Sequence, residues 1–175
     1  HAGKDIRRLT SAAGHTSDAA KVGILRRVAA GAIEQGAELL LISADTHHLG
    51  ERAVEGLGGS VEFVDRPLTG SRLDTVGCAA AMWKRGAEAV VVLGGDGTCR
   101  DVAAGWPEVP LIAISTGTNN VFPSNIDGTS AGVAAALVAT GVVSIAEVGE
   151  PTKRIELTID EPSGTAITHD IALVE

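Results

Sequence analysis

The sequence predicts an α/β fold: an open parallel sheet with helices on both faces. Short continuous apolar runs alternate with segments of helical periodicity up to about residue 141, as expected for strands buried on both faces of a parallel sheet. Glycines lie between these runs, where tight strand-to-helix loops need them. With 175 residues, 45% hydrophobic and only 2% aromatic, the chain is expected to be globular, with a core of Ala, Val, Leu and Ile.

The first half of the chain is expected to hold three helices and two strands. Ser17 or Asp18 is a suitable cap for the first helix, and Gly86 ends the third. In chain order the expected elements are helix 17–35, strand 39–42, helix 50–57, strand 61–64 and helix 71–85.

The second half repeats the alternation and places two polar loops directly after strands. The expected elements are strand 89–93, a glycine-rich loop, a helix from near Thr98 to before Pro107, strand 111–114, loop 115–120, and helix 129–140 ended by Gly141. Ligands of open α/β sheets bind at the carboxyl ends of the strands, so both loops are candidate binding loops.

The pattern changes after residue 148. Apolar and polar residues alternate over 155–159 and again from 167, which predicts antiparallel strands with one solvated face. We therefore divide the chain into an α/β nucleotide-phosphate-binding domain, 1–148, and the beginning of a β-rich second domain, 149–175. Both ends are expected to be cut, since the chain starts at His1 and ends within a predicted strand.

Charge and cysteine content restrict the partners. The net charge of -8 argues against nucleic-acid or anionic-membrane partners, because both favour a basic face. Cys78 and Cys99 form no disulfide framework, and no apolar run approaches the ~20 residues of a membrane span. We expect a cytoplasmic protein that forms a homo-oligomer.

The first candidate loop is Gly94 to Thr98. Gly94, Gly95 and Gly97 allow a sharp turn, and their N–H groups with the following helix N-terminus can bind an anion. The GK[ST] ending of a Walker A loop is missing. Two unit charges ~4 Å apart repel by ~4 kcal/mol at an effective dielectric of 20. Asp96 beside a phosphate therefore needs a chemical role, either binding Mg²⁺ or accepting a proton from a hydroxyl. A tight turn with Asp as helix cap stays open.

The second candidate loop, 115–120, concentrates hydroxyl and amide side chains that can bind a phosphate, a ribose or a polar substrate. Ordinary turn chemistry is the alternative. Its candidate binding residues are Ser115, Thr116, Gly117, Thr118, Asn119 and Asn120. Since both loops end neighbouring βα units, we expect them to converge on one site.

The remaining candidates are weaker. Arg100 can reach a phosphate or be a solvated helix residue. We expect His47 and His48 to be exposed loop residues without a metal, Cys99 to be small and partly buried, and Asp74 to cap a helix.

Two motifs carry a family resemblance. VVLGGDGT resembles the signature shared by NAD kinases, diacylglycerol kinases and sphingosine kinases. STGTNNVFP is similar to the kinase-like acetoin catabolism protein X family, grouped with the ATP-NAD kinases, and is closer to the GTGN loop of the lipid kinases than to the NxGxLGF loop of NAD kinases. GKDIRRL at residues 3–9 and the Asp74-Thr75 helix share this resemblance, which covers most of residues 3–148.

The resemblance implies ATP and Mg²⁺ as cofactors and an active site between the α/β domain and a β-rich domain. It implies that Asp96 acts on the acceptor 2′-hydroxyl, that the GGDGT backbone binds ATP phosphates, and that Asn119 or Asn120 lines the acceptor side. The metal ligands stay open.

Three functions are consistent with these residues. The first is an ATP-dependent kinase acting on a hydroxyl of a nucleotide such as NAD. The second is a lipid or small-alcohol kinase of the diacylglycerol kinase type, which the net charge of -8 disfavours. The third is a non-catalytic nucleotide-binding regulator of acetoin catabolism, which needs no base at Asp96.

Overall fold

The computed structural model describes residues 16–117, 120–160 and 167–174. Its helices are α1 (Asp18–Glu34), α2 (Leu49–Val54), α3 (Arg72–Lys84), α4 (Asp96–Gly105), α5 (Gly128–Ala139) and α6 (Ile145–Val148). Its strands are β1 (Leu40–Ser43), β2 (Val61–Val64), β3 (Val90–Gly94), β4 (Leu111–Ser115), β5 (Lys153–Asp160) and β6 (Ile167–Val174). The order of strands and helices confirms the predicted α/β class.

The strands pair two by two. β1 lies parallel to β2 and β3 lies parallel to β4, which confirms the parallel pairing. The described strands form two separate parallel pairs rather than one continuous sheet. β5 and β6 pair antiparallel, as the alternating pattern predicts; their assignment to a second domain stays a prediction.

A core cluster lies between the β3–β4 pair and helices α3 and α4. Because side chains alternate along a strand, Val90 and Val92 point together into this cluster and meet Cys99 and Trp106. Trp106 stacks on Trp83 of α3, with ring centroids 6.3 Å apart. This aromatic pair therefore joins α3 to the C-terminal end of α4.

Helices α1 and α5 approach each other closely because glycines face the contact. A Cβ at Gly31 would lie 2.6 Å from the Thr129 carbonyl oxygen, and one at Gly128 would lie 2.8 Å from that of Ile24. Side chains larger than hydrogen would separate the helices. This packing covers β3 and β4, which α5 also contacts.

Two element boundaries differ from the sequence prediction, and one short helix was not predicted. Helix α4 begins at Asp96, not near Thr98, because the chain turns directly into the helix after Gly95. Helix α2 ends at Val54 rather than near Leu57. The short helix α6 was missed, although Ser144 and Glu147 form the capping box that marks a helix start.

Within the described ranges, no helix has the length and apolar character needed to cross a membrane.

Candidate functional site

The first candidate loop joins a strand directly to a helix, as predicted. β3 ends at Gly94, Gly95 is the N-cap in extended conformation, and α4 starts at Asp96. Because glycine has no side chain, no side chain caps this helix. The N–H groups of Thr98 and Cys99 turn back to the Gly95 carbonyl oxygen, at 2.9 and 3.2 Å. The N–H groups of the first helical turn thus point towards the end of β3.

The apolar run at 89–93 that leads into the glycines predicts a central strand, but among the described strands β3 lies at an edge. β3 pairs with β4 on one side only. Its other edge faces a cavity that β1 also lines. This arrangement follows from the division of the parallel strands into two pairs, which local sequence patterns do not specify.

Each glycine of this loop has a different surrounding. A Cβ at Gly94 would lie 2.6 Å from the Thr98 side chain, and one at Gly95 would lie 2.8 Å from Asn120 Oδ1. A Cβ at Gly97 would meet no protein atom within 4 Å among the described residues. The sequence predicts that Gly95 or Gly97 has a positive φ or lies too close to a ligand to admit a Cβ. Neither has a positive φ, since Gly95 is an extended cap and Gly97 is helical, and the close approach to a ligand stays a prediction. The requirement for glycine is therefore steric at Gly94 and Gly95.

The second loop meets the first at the same edge, as predicted. Gly94 and Ser115 are register partners, and the Thr116 N–H donates to the Gly94 carbonyl oxygen at 3.1 Å. The Asn120 amide donates to Ser115 Oγ at 2.6 Å, and its Oδ1 lies beside both Gly95 and Gly117. Asn120 is thus the side chain at which the two loops converge. Thr118, Asn119 and the GKDIRRL segment lie outside the described residues.

Asp96 connects the two loops through its carboxylate. Oδ1 accepts the N–H groups of Phe122 and Val121 at 2.9 and 3.1 Å, and Oδ2 lies 3.2 Å from the same Val121 nitrogen. Asp96 stands inside the helix and does not cap it, so the interpretation as a simple helix cap is wrong. The carboxylate fixes the exit of the second loop while lying at the N-terminus of α4, where a negative charge is favoured.

Arg100 is paired with the next residue along the helix. Its Nε and Nη2 lie 3.3 and 3.2 Å from Oδ1 of Asp101, a carboxylate that is buried. Arg72 Nε lies 3.0 Å from the same oxygen. No local signal in the sequence marks Asp101 or Arg72, because the two residues are 29 positions apart. Whether Arg100 contacts a phosphate stays a prediction.

The two histidines make their side-chain contacts away from the two loops. His47 and His48 are exposed, as predicted, and pair with Asp18 and Glu51 at 2.7 and 2.9 Å. Among the residues that the structure describes, no three His, Cys, Asp or Glu side chains are grouped as a metal site.

Two further side chains have altered acidity. Cys99 is fully buried, and burial together with the Asp96 charge raises the pKa of its thiol to about 12, so it stays protonated at neutral pH. Asp74 accepts the Thr69 hydroxyl and the N–H groups of Thr69 and Gly70, which lower the pKa of its carboxyl group. Asp74 thus orders the loop before α3.

The fold and these loops define an α/β protein in which two glycine-containing loops meet where the parallel strand β3 passes into helix α4. A family model described as the ATP-NAD kinase N-terminal domain matches residues 26–142. Since this match covers more than half of the chain, the chain belongs to that family of kinases. The resemblance inferred from VVLGGDGT and STGTNNVFP is confirmed.

Two curated relatives extend this comparison. The chain is 35% identical to acetoin catabolism protein X of Cupriavidus necator over 181 residues, which cover 98% of the chain and 50% of that protein. It is 39% identical over 74 residues to an uncharacterized protein of Archaeoglobus fulgidus, covering 42% of the chain and 24% of that protein. The chain thus spans about half the length of acetoin catabolism protein X. No solved structure matches the chain.

Proposed function

We propose that this chain carries the ATP-phosphate site and the catalytic carboxylate of a kinase that phosphorylates a hydroxyl of a nucleotide such as NAD. The observation that carries the proposal is the convergence of two glycine loops on Asn120, with Asp96 at the start of α4 between them. Membership of the ATP-NAD kinase family supports phosphoryl transfer as the reaction class.

The β3–α4 junction suits the phosphates of ATP. The first-turn N–H groups of α4 point to the edge at which β3 and β4 end, and Gly97 leaves open space beside them. A phosphate there would gain charge-assisted hydrogen bonds and the favourable end of the helix dipole. Gly94, Gly95 and Thr98 shape this surface, and Arg100 would add positive charge on the next turn.

In this proposal Asp96 acts on the acceptor hydroxyl. Its Oδ2 makes one weak contact, to the Val121 nitrogen at 3.2 Å, whereas Oδ1 accepts the two shorter bonds. Oδ2 can therefore accept the hydroxyl proton as the acceptor oxygen bonds to the γ-phosphorus and the bond to the β-phosphate oxygen breaks, releasing ADP. The backbone contacts to Oδ1 hold the carboxylate in one orientation.

The residues present fit a magnesium ion bound mainly through nucleotide phosphates. Mg²⁺ commonly keeps several waters and takes one or two protein carboxylates, so no larger acidic cluster is needed. Asp96 is the carboxylate of this loop that would hold it. When bound, the ion neutralises charge on the transferred phosphoryl group.

The second loop would bind the acceptor. Asn120 and Ser115 are fixed by their mutual hydrogen bond, and the neighbouring Thr116 is buried. Amide and hydroxyl groups held in this way recognise the hydroxyls of a ribose better than an apolar chain. This favours a nucleotide acceptor over a lipid.

A second function is a nucleotide-binding regulator without turnover. The contacts from Asp96 to Val121 and Phe122 favour it, because joining two loops is a structural role that needs no reaction. The name of the Cupriavidus necator relative, acetoin catabolism protein X, also refers to no reaction. Both functions predict ATP binding, and turnover separates them.

Separate measurements of ATP binding and turnover test these functions. Calorimetry on the chain with ATP and Mg²⁺ tests the phosphate site, and ADP release with NAD, diacylglycerol or small diols tests the reaction in the polypeptide extended over the length that the relatives cover. ATP binding with NAD-dependent ADP release supports the kinase. Binding without turnover for any acceptor supports the regulator, and absence of ATP binding overturns both.

Cytoplasmic fractionation and gel filtration test the expected location and homo-oligomer.

A further inference from the structure

A buried carboxylate on α4 bonds to two arginines. The Asp101 side chain is only 8% exposed, whereas those of Arg72 and Arg100 are 42% and 29% exposed. Both guanidinium groups bond to the same oxygen of Asp101, Oδ1: that of Arg72 at 3.0 Å and that of Arg100 at 3.2 and 3.3 Å. A buried charge is costly unless it is paired, so the two arginines make the burial of this carboxylate possible. We call the three residues the Asp101 cluster.

The packing of α3 against α4 does not by itself account for the Asp101 cluster. Elsewhere along these helices, a Cβ at Gly105 would overlap the Val76 carbonyl oxygen, which shows how closely the two backbones approach. Trp106 also stacks on Trp83. A buried ion pair adds little net stability to such a contact, because the cost of removing the charges from water offsets their attraction. The three charges therefore indicate a role beyond joining the helices.

The Asp101 cluster lies one helical turn from the glycine loop. Arg100 follows Gly97 by three residues, so both lie on the same face of α4. Helical side chains lean towards the N-terminus and cover the preceding turn. For Arg100 that turn contains Gly97, where a Cβ would meet no described atom within 4 Å. The bond from Arg72 to Asp101 brings the first residue of α3 to the same part of α4. Two guanidinium groups thus lie beside the junction proposed to hold the ATP phosphates.

We propose that Asp101 is a positioning residue, which orients Arg72 and Arg100 so that their guanidinium groups bind the phosphate chain of ATP. This inference rests on the proposed function of the β3–α4 junction. Asp101 itself does not contact the nucleotide. It holds two long side chains in place before the ligand arrives, so that less side-chain freedom is lost on binding.

Guanidinium chemistry suits this role. Arginine forms charge-assisted and often bidentate bonds to phosphate oxygens. A guanidinium has five N–H donors, and a bond to one carboxylate oxygen uses only one or two of them.

The spacing of the two groups of donors predicts selectivity for the number of phosphates. The first-turn N–H groups of α4 and the Asp101 cluster are about one turn apart, or ~5 Å along the helix. A single phosphate can bind at one of these places, whereas a chain of phosphates can engage both. Loss of the cluster should therefore weaken binding of ATP more than binding of ADP, and binding of AMP least.

Calorimetry with ATP, ADP and AMP in the presence of Mg²⁺ tests this selectivity on the 175-residue chain. Arg72→Gln leaves Arg100 to pair with Asp101 and should weaken ATP binding about tenfold but AMP binding less than about twofold, since a charge-assisted bond is lost. Arg85→Gln is the matched control, because Arg85 lies at the other end of α3 and is also paired with a carboxylate, that of Glu62. It should leave all three affinities unchanged. An equal loss for ATP and AMP in the Arg72 variant, or no loss, overturns the proposal.

Asp101→Asn tests the positioning role separately, because it removes the charge but keeps the size of the side chain. It should weaken ATP binding about tenfold when both arginines are present. Added to the double variant Arg72→Gln/Arg100→Gln, it should change ATP affinity less than about twofold, since no guanidinium remains to be oriented. Equal effects in the two backgrounds mean that Asp101 does not act through the arginines, and this overturns the proposal.

Two controls keep the outcomes distinct. Circular dichroism at the temperature of the titrations checks that each variant is folded. If Asp101→Asn does not fold, Arg72→Gln and Arg100→Gln decide the proposal, because each leaves one arginine bonded to Asp101. An unsubstituted chain that does not bind ATP overturns the proposed function and this inference together. ATP binding that every variant retains overturns this inference alone.

Discussion

Two strand-to-helix junctions of this fold differ in how they treat the backbone N–H groups at the start of the helix. After β1, the Asp45 carboxylate accepts the N–H groups of Leu49 and Gly50 and so fills the N-terminus of α2. After β3, Gly95 supplies no capping side chain, and the Asp96 carboxylate reaches across to the second loop instead. The first junction uses its acidic residue to complete the helix. At the second junction no side chain caps the helix, and we propose that a ligand phosphate takes that place.

The contrast shows why an aspartate near a helix start does not by itself identify a functional site. A cap contributes ~1 kcal/mol to stability, and Ser17, Ser71 and Asp127 make such contacts at α1, α3 and α5. The β3–α4 junction forgoes this stabilisation. Its acidic residue instead orders a neighbouring loop that carries Asn120, which is an arrangement suited to binding.

The largest expected effect comes from Asp96 itself. Asp96→Asn keeps an oxygen for the two bonds at Oδ1 but cannot accept a proton, and Asp96→Ala loses both properties. If Asp96 is the base, turnover falls by ~10²–10⁴ in both variants. Turnover is measured as ADP release, with ATP affinity by calorimetry as the control for the Asn variant.

If Asp96 has only a structural role, the two variants should differ in turnover. Asp96→Asn would then keep full turnover, whereas Asp96→Ala would lose it together with the order of the second loop. A defect that shrinks as the Mg²⁺ concentration rises would assign the carboxylate to the metal instead.

A smaller effect is expected at Gly97. A Cβ there meets no described protein atom within 4 Å, so Gly97→Ala should leave the fold intact, and a loss of ATP affinity would report direct contact with the nucleotide. We expect about tenfold weaker binding, or ~1.4 kcal/mol. Gly58→Ala, which also enters open space without a positive φ, is the matched control and should bind ATP normally. Gly95→Ala should weaken binding as well, through displacement of Asn120. Unchanged affinity for Gly97→Ala places the nucleotide elsewhere.

At the junction after β1, loss of the aspartate should lower stability without changing ATP affinity. Asp45→Ala removes the acceptor for the N–H groups of His47, Leu49 and Gly50 and should lower the free energy of unfolding by ~1–2 kcal/mol. ATP affinity should stay unchanged. Denaturant unfolding and calorimetry on the same preparation check both halves, and a loss of ATP affinity without a loss of stability would contradict the distinction between the junctions.

The smallest effect is a difference in acid sensitivity between helix starts. The Ser130 and Thr129 N–H groups hold the pKa of Asp127 below its usual value of 3.8, so this cap stabilises the native state above about pH 4 and is lost as the pH falls further. The start of α4 has no carboxylate cap. Below about pH 4, amide exchange at Thr129 should therefore accelerate more than at Thr98. Asp127→Asn, which caps without titrating, should remove the pH dependence; its persistence would show that another group is responsible.

Local sequence patterns predict most elements of this fold but not their assembly. The apolar runs at β3 and β4 and the glycine at Gly95 are local signals, so the strand-to-helix junction and the convergence of both loops can be inferred. The start of α4 is two residues earlier than predicted because Gly95 is the N-cap and Asp96, whose charge is favoured in the first turn, already belongs to the helix. The division of the strands into two pairs depends on contacts distant in sequence.

The candidate site, too, is only partly predictable from local sequence. Residue types in GGDGT and STGTNN indicate anion and hydroxyl binding from composition alone. The bonds from Asp96 to Val121 and Phe122 and from Arg72 to Asp101 span 25, 26 and 29 positions. These partners are brought together only by the pairing of β3 with β4 and the packing of α3 against α4.

The tryptophan stack gives the molecule a built-in optical signal. The sequence contains two tryptophans and no tyrosine, so its near-ultraviolet absorbance and fluorescence come almost entirely from Trp83 and Trp106, whose rings lie 9° from parallel. Two indoles stacked at this separation couple their electronic transitions. Because Trp106 terminates the helix whose other end carries Asp96, a change in exciton circular dichroism on titration with nucleotide would follow movement of α4 against α3 without any added label.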